Sequence, residues 1–138
     1  MISKTKIFAI SFLIVLADQL TKLYFKYNSL DLGILKLNFV KNYGAAFSIL
    51  QGQRALLIAI SIAALILIAY YFKELKEKNI LFYALTFLLA GTIGNLMDRI
   101  FLGYVVDFID FGFFPVFNMA DISNSLAAFL ILMSLIKK

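Results

Sequence analysis

The sequence contains no cysteine and no histidine. Without cysteine there is no disulfide, no thiol nucleophile and no thiolate metal ligand. That absence says nothing of compartment, because a membrane protein need not carry a cysteine. Without histidine the Ser-His-Asp triad, the Cys-His pair and the usual catalytic zinc sites are excluded. Acid–base chemistry falls to Asp, Glu, Lys or Tyr. Acids are few as well, eight in 138 residues.

What fills the chain instead is hydrocarbon. Hydrophobic residues make up 63% and the mean hydropathy is +0.94, well above the apolar share of about 45–50% found in soluble domains. The chain reads as a single integral membrane domain of residues 1–138. Its net charge of +5 sits in short basic groups at the ends of apolar runs. That pattern suits topology signals and headgroup contact rather than a phosphate-tracking groove, so no nucleic acid partner is expected.

Taken in order, a basic start leads into an apolar run from Ile7 to Phe25, interrupted by Asp18, Gln19 and Lys22. The run is long for a signal peptide and shows no small-residue cleavage site, so it reads as helix 1. Asn28-Ser29 and Asp31-Leu32-Gly33 read as turns. From Leu35 to Lys41 apolar residues alternate, which predicts a half-buried strand. Asn42-Tyr43-Gly44 turns the chain, and Ala45 to Leu50 returns toward that strand. Two further spans are predicted at 55–72 and 80–97, separated by a polar turn, and the fourth at 116–136. Residues 98–115 read as a loop. Gly91 and Gly94 allow another backbone to approach helix 3.

The predicted fold class is therefore an all-α membrane protein of four transmembrane helices, with a small extracytoplasmic β-element between helices 1 and 2. Segments 26–54 and 98–115 lie on the side opposite both termini. The terminal side carries seven basic residues, among them Lys4, Lys6, Lys137 and Lys138, against five on the other, with Lys22 near the boundary. The positive-inside rule then makes the termini cytoplasmic.

Four of the eight acids, Asp98, Asp107, Asp110 and Asp121, fall between Gly94 and Asn124. Asp107 and Asp121 sit in apolar frames, Val105-Val106-Asp107-Phe108 and Phe117-Asn118-Met119-Ala120-Asp121. A carboxylate beside hydrocarbon persists where it is paired, hydrated or functional. Two carboxylates held close share a proton: one activates water, and the other polarises a scissile carbonyl and serves the leaving amine. Asp121, placed about 8 Å along helix 4, also fits a capping role with Asn118 as N-cap, and the two roles can coexist.

Other polar positions keep plain alternatives. Asp18 and Lys22, four apart, suit an intrahelical ion pair. Asp98-Arg99 suits an interfacial anchor, although Asn95 shares a helix face with Arg99. Asn42 and Gly44 suit a turn. The seven Tyr and fifteen Phe suit lipid contact and an interfacial belt.

Five segments taken together resemble the lipoprotein signal peptidases of bacteria, or signal peptidase II. They are Asp18-Gln19-Leu20-Thr21-Lys22, Asn42-Tyr43-Gly44-Ala45-Ala46-Phe47, Gly94-Asn95-Leu96-Met97-Asp98-Arg99, Val105-Val106-Asp107-Phe108 and Phe117-Asn118-Met119-Ala120-Asp121. The resemblance implies an aspartic endopeptidase that removes the signal peptide from diacylglyceryl-modified prolipoproteins, just before the lipidated cysteine. It implies Asp107 and Asp121 as the catalytic pair, with no cofactor or metal. Asn42, Asn95, Arg99 and Asn118 would line or support the pocket, and Asp18, Lys22 and Gly44 would shape it. Expected partners are prolipoprotein signal peptides, membrane lipids and globomycin-like inhibitors, and the expected state is a monomer in the bacterial cell membrane. Ala90-Gly91 stands where the family often has two glycines, and the connection between the aspartates is compact. A proton-coupled transporter and a non-enzymatic assembly subunit are the alternatives; the first would place its acid near the bilayer midplane.

Overall fold

The structure is a computed structural model describing residues 4–45, 49–74 and 80–136. Four helices, α1 (Lys4–Tyr27), α2 (Arg54–Glu74), α3 (Ile80–Phe101) and α4 (Met119–Ile136), are each long and apolar enough to cross a bilayer. Each outruns or starts close to its predicted span. The exception is α4, which begins at Met119 rather than 116 because Asn118 caps it. Helix α3 is the hub. It packs against all three others, whereas α2 and α4 lean on α3 rather than on each other. Their lipid-facing sides carry exposed Phe12, Ile66, Leu67 and Phe129, as expected where the solvent is hydrocarbon.

Small residues and hydroxyls make the close helix contacts. A side-chain carbon added at Gly94 would lie 2.6 Å from Asp18 Oδ2 and 3.1 Å from Ala120 Cβ, so α1 and α4 both meet α3 at this glycine. Ser11 Oγ donates to Thr86 O at 3.2 Å, and Ser123 Oγ donates to Phe87 O at 2.7 Å. Such bonds replace the hydrophobic driving force that lipid does not supply.

The β-element has three strands in the order β1 (Leu30–Asp31), β2 (Lys36–Asn42), β3 (Val105–Asp110), all antiparallel. The predicted strand at 35–41 is β2, with an irregularity between Leu37 and Val40. The third strand comes from the segment read as a loop. Val105 to Phe108 are all buried, so they lack the alternation that marks a half-buried strand. Of the returning segment Ala45–Leu50, residues 46–48 lie outside the described residues, and 49–50 form a turn. Phe108 stacks on Phe25 of α1 with centroids 4.8 Å apart, so this aromatic docks the sheet on the bundle rather than facing lipid.

Beyond β3 the chain turns at Gly112 and comes back. Phe108 and Ile109 donate backbone N–H bonds to Phe117 O, at 3.0 and 2.9 Å, and Phe117 N–H returns one to Ile109 O at 3.1 Å. This clasp brings the start of α4 alongside β3. Asp110, the last residue of β3, braces that turn by accepting the Gly112 N–H at 2.7 Å.

Candidate active site

The clasp sets Asn118 between the two aspartates. Its side-chain Nδ2 donates to Asp107 Oδ1 at 2.7 Å, and its backbone N–H donates to Asp121 Oδ2 at 3.1 Å. Its own Oδ1 accepts the Asp121 N–H at 2.9 Å. Asn118 and Asp121 thus form a reciprocal cap of the capping-box kind, so the capping reading holds together with proximity to Asp107. Asp121 is the third residue of α4, nearer the helix end than the sequence placed it.

Amides complete the setting. Asn42 Nδ2, from β2, donates to Asp107 Oδ2 at 2.9 Å. Asn95 Nδ2, from α3, donates to Asp121 Oδ1 at 2.8 Å. Asn118 Nδ2 also reaches Asn95 Oδ1 at 3.0 Å and Val106 O at 3.2 Å. Every oxygen of both carboxylates therefore accepts a neutral N–H. Among the described residues neither is ion-paired. Asp107 is almost wholly buried, at 2% exposure. Burial, and next the charge of Asp121, push its pKa from 3.8 up to about 7, against the opposing hydrogen bonds of Asn42 and Asn118.

Arg99 closes one side. Its guanidinium donates to Gly44 O at 3.0 Å and to the Asn95 carbonyl at 3.4 Å. Gly44 N–H in turn donates to Asn42 Oδ1 at 2.9 Å. The predicted turn at Asn42 and Gly44 is real, and it also aims Asn42 at Asp107. Arg99 links α3 to that turn.

Behind the pair lies a second polar cluster. Lys22 Nζ donates to Asp18 Oδ2 at 2.8 Å, Asp98 Oδ2 at 3.0 Å and Asn95 Oδ1 at 3.0 Å, so all three of its protons are used. The predicted intrahelical pair Asp18–Lys22 is present, but it does more. Asp18 Oδ1 accepts the Ala120 N–H in the first turn of α4 at 2.8 Å, and Asp98 Oδ2 accepts the Val106 N–H of β3 at 2.9 Å. The two strand-and-helix segments that carry the catalytic candidates are each fastened to this cluster.

Asp98 is a site residue that the sequence reading missed. Its apparent partner, Arg99, is the next residue, and side chains at i and i+1 on a helix do not face each other. That spacing was the available signal. Gln19 was missed too; its Nε2 bridges Asp18, Asp98 and the Gly94 carbonyl at 3.1, 3.1 and 3.2 Å. Arg54 ties the start of α2 to the end of α3, donating to Arg99 O at 2.8 Å and Ile100 O at 2.9 Å.

Asp107 and Asp121 open onto a cavity of about 830 Å³ bounded by α2, α3, α4, β2 and the loop carrying Phe114 and Pro115. No group of three or more Asp or Glu side chains disposed to hold a metal ion forms among the described residues. The arrangement offers two carboxylates joined through Asn118, a raised pKa at Asp107 and a mostly apolar groove beside them.

Known proteins resemble this chain in sequence and fold. The sequence model of the family described as "Signal peptidase (SPase) II" matches residues 10–137. A "Lipoprotein signal peptidase" of Caldanaerobacter subterraneus subsp. tengcongensis is 43% identical over 116 residues, covering 78% of this chain and 80% of that protein. One of Halothermothrix orenii is 35% identical over 136 residues, covering 94% of each. A bacterial membrane enzyme solved by the in meso method at 2.3 Å resolution superposes with a TM-score of 0.88 at 34% identity, over 97% of this chain and 89% of that one.

Proposed function

Because the chain belongs to the signal peptidase II family, and is therefore an aspartic-type peptidase of lipoprotein processing in the bacterial membrane, we propose that Asp107 and Asp121 are its catalytic pair. The transporter and assembly-subunit alternatives give way to that membership. The observation that carries the assignment is Asn118, one residue donating a hydrogen bond to each carboxylate.

The pair holds one proton near neutral pH, since burial and the neighbouring charge favour a neutral Asp107. The ionised member takes a proton from a water as that water attacks the scissile carbonyl. The protonated member hydrogen-bonds the carbonyl oxygen, and a proton passes to the leaving amine as the C–N bond breaks. The bond cut is the one before the diacylglyceryl-modified cysteine. Asn42, Asn95 and Asn118 hold the carboxylates without neutralising them, and Arg99 fixes the Gly44 turn.

Topology supports the same reading. The basic bias places both termini in the cytoplasm, which puts the sheet and the pair at the extracytoplasmic interface. A signal peptide's apolar core lies in the bilayer, so its cleavage site emerges at that depth. The segment from Leu35 to Leu50 then roofs the acylated end of the substrate, and inhibitors of the globomycin type would compete for the same groove. The deciding experiment is processing of a lipidated prolipoprotein in detergent micelles by wild type, Asp107→Asn and Asp121→Asn. Loss of cleavage in both variants, each still folded, is expected; substantial cleavage by either overturns the pair. Disordering 35–50 should slow processing and leave the bundle folded.

A further inference from the structure

One wall of the groove carries a polar group that no bond among the described residues explains. Asn124 stands on α4 three residues beyond Asp121 and lines the same cavity. Its Oδ1 is buried and has no hydrogen-bond partner among the described residues. That oxygen lies against Gly91 of α3, where any side-chain carbon on residue 91 would collide with it. Gly91 thus leaves the space that this amide occupies. Nearby Ser61 and Ser123 hydroxyls are already committed, to Leu57 O at 2.9 Å and Phe87 O at 2.7 Å.

An amide with an unmet acceptor at membrane depth destabilises the fold, and an apolar side chain of the same shape would relieve it. A bound peptide supplies what the protein lacks. To offer a scissile bond to two carboxylates, the signal-peptide segment must be unwound there. Its freed N–H and C=O groups then need partners where water is scarce. Three residues of helix span about 4.5 Å, and an extended chain advances about 3.3 Å per residue. Asn124 therefore meets the substrate backbone one or two residues from the scissile bond, on the membrane-embedded side.

We propose that Asn124 is a substrate-binding residue whose side-chain amide turns to hydrogen-bond the peptide backbone at that position. The proposal rests on Asp107 and Asp121 being the catalytic pair. Its test compares wild type with Asn124→Leu and Asn124→Ala on a lipidated prolipoprotein in micelles, with thermal unfolding of each. KM should rise about fivefold in both, the worth of one hydrogen bond, with kcat within about twofold and the Tm of Asn124→Leu unchanged or higher. A substrate series with single ester linkages on the signal side of the cut should show one position that weakens wild type but not Asn124→Leu. Unchanged KM in both variants, an ester effect equal in both enzymes, or a loss of folding in Asn124→Leu would each overturn the proposal. Substantial cleavage by Asp107→Asn or Asp121→Asn would instead overturn the pair itself.

Discussion

The molecule holds two groups of buried aspartates, and they are treated oppositely. Asp18 and Asp98 share the single charge of Lys22, which donates a hydrogen bond to each. Asp107 and Asp121 receive only amide and backbone N–H donors. The nearby cation, Arg99, directs its bonds to backbone carbonyls instead. The ion-paired carboxylates fasten segments together, Asp18 holding the start of α4 and Asp98 holding β3. Asp107, without an ion pair among the described residues, has its pKa raised to about 7 by burial and by the charge of Asp121. The same residue type thus stands in two settings, one ion-paired and one held by neutral donors.

Breaking each group should therefore have different results. The largest effect is on catalysis: Asp107→Asn or Asp121→Asn should lower cleavage at least about a thousandfold, with helical content and insertion unchanged by circular dichroism and protease accessibility. Next comes the scaffold. Lys22→Met leaves two buried carboxylates without their cation, so it should destabilise the fold by about 3–5 kcal/mol, read as a drop in detergent Tm or failure to accumulate. If Lys22→Met folds as well as Asp107→Asn, the distinction between the two groups is lost.

Asn118→Ala touches both halves of the account. It removes the cap of α4 and a donor to Asp107, so stability should fall by about 1 kcal/mol and kcat/KM by about tenfold or more. The removed bond lowers the Asp107 pKa, so its loss should move the alkaline limb of the pH–rate profile upward. An unmoved limb would mean that Asp107 is not the group titrating there.

The smallest effect is on stability alone. The folded pKa of Asp107, about 7, lies above its ordinary 3.8, so the fold prefers the protonated form. The stabilisation is complete below 3.8 and is lost as pH rises through about 7. Asp107→Asn removes the ionisation, so its Tm relative to wild type should improve between pH 4 and pH 8. A constant difference across that range would count against the raised pKa.

The four spans and the catalytic candidates were legible because hydrocarbon makes exceptions conspicuous. Asp107 and Asp121 stood out against Val105, Val106, Phe117 and Ala120, and no histidine or cysteine competed for the chemistry. Strand β3 was not legible, because burial on both faces erases the alternation that announces a strand. The roles of Asp98 and Gln19 were hidden for another reason. Their partners lie far along the chain, as with Gln19 and Asp98 themselves, 79 residues apart. Local spacing could exclude the Asp98–Arg99 pairing but could not supply the true partner.

The proposed chemistry needs one proton shared between two carboxylates that form no ion pair among the described residues. Infrared difference spectra of the carboxyl stretch, recorded between pH 4 and pH 9 on wild type and on the two Asn variants, observe that proton directly. Wild type should show a protonated carboxyl that disappears near pH 7 and that changes when either aspartate is replaced. Two carboxylates already ionised by pH 5, each indifferent to loss of the other, would contradict it.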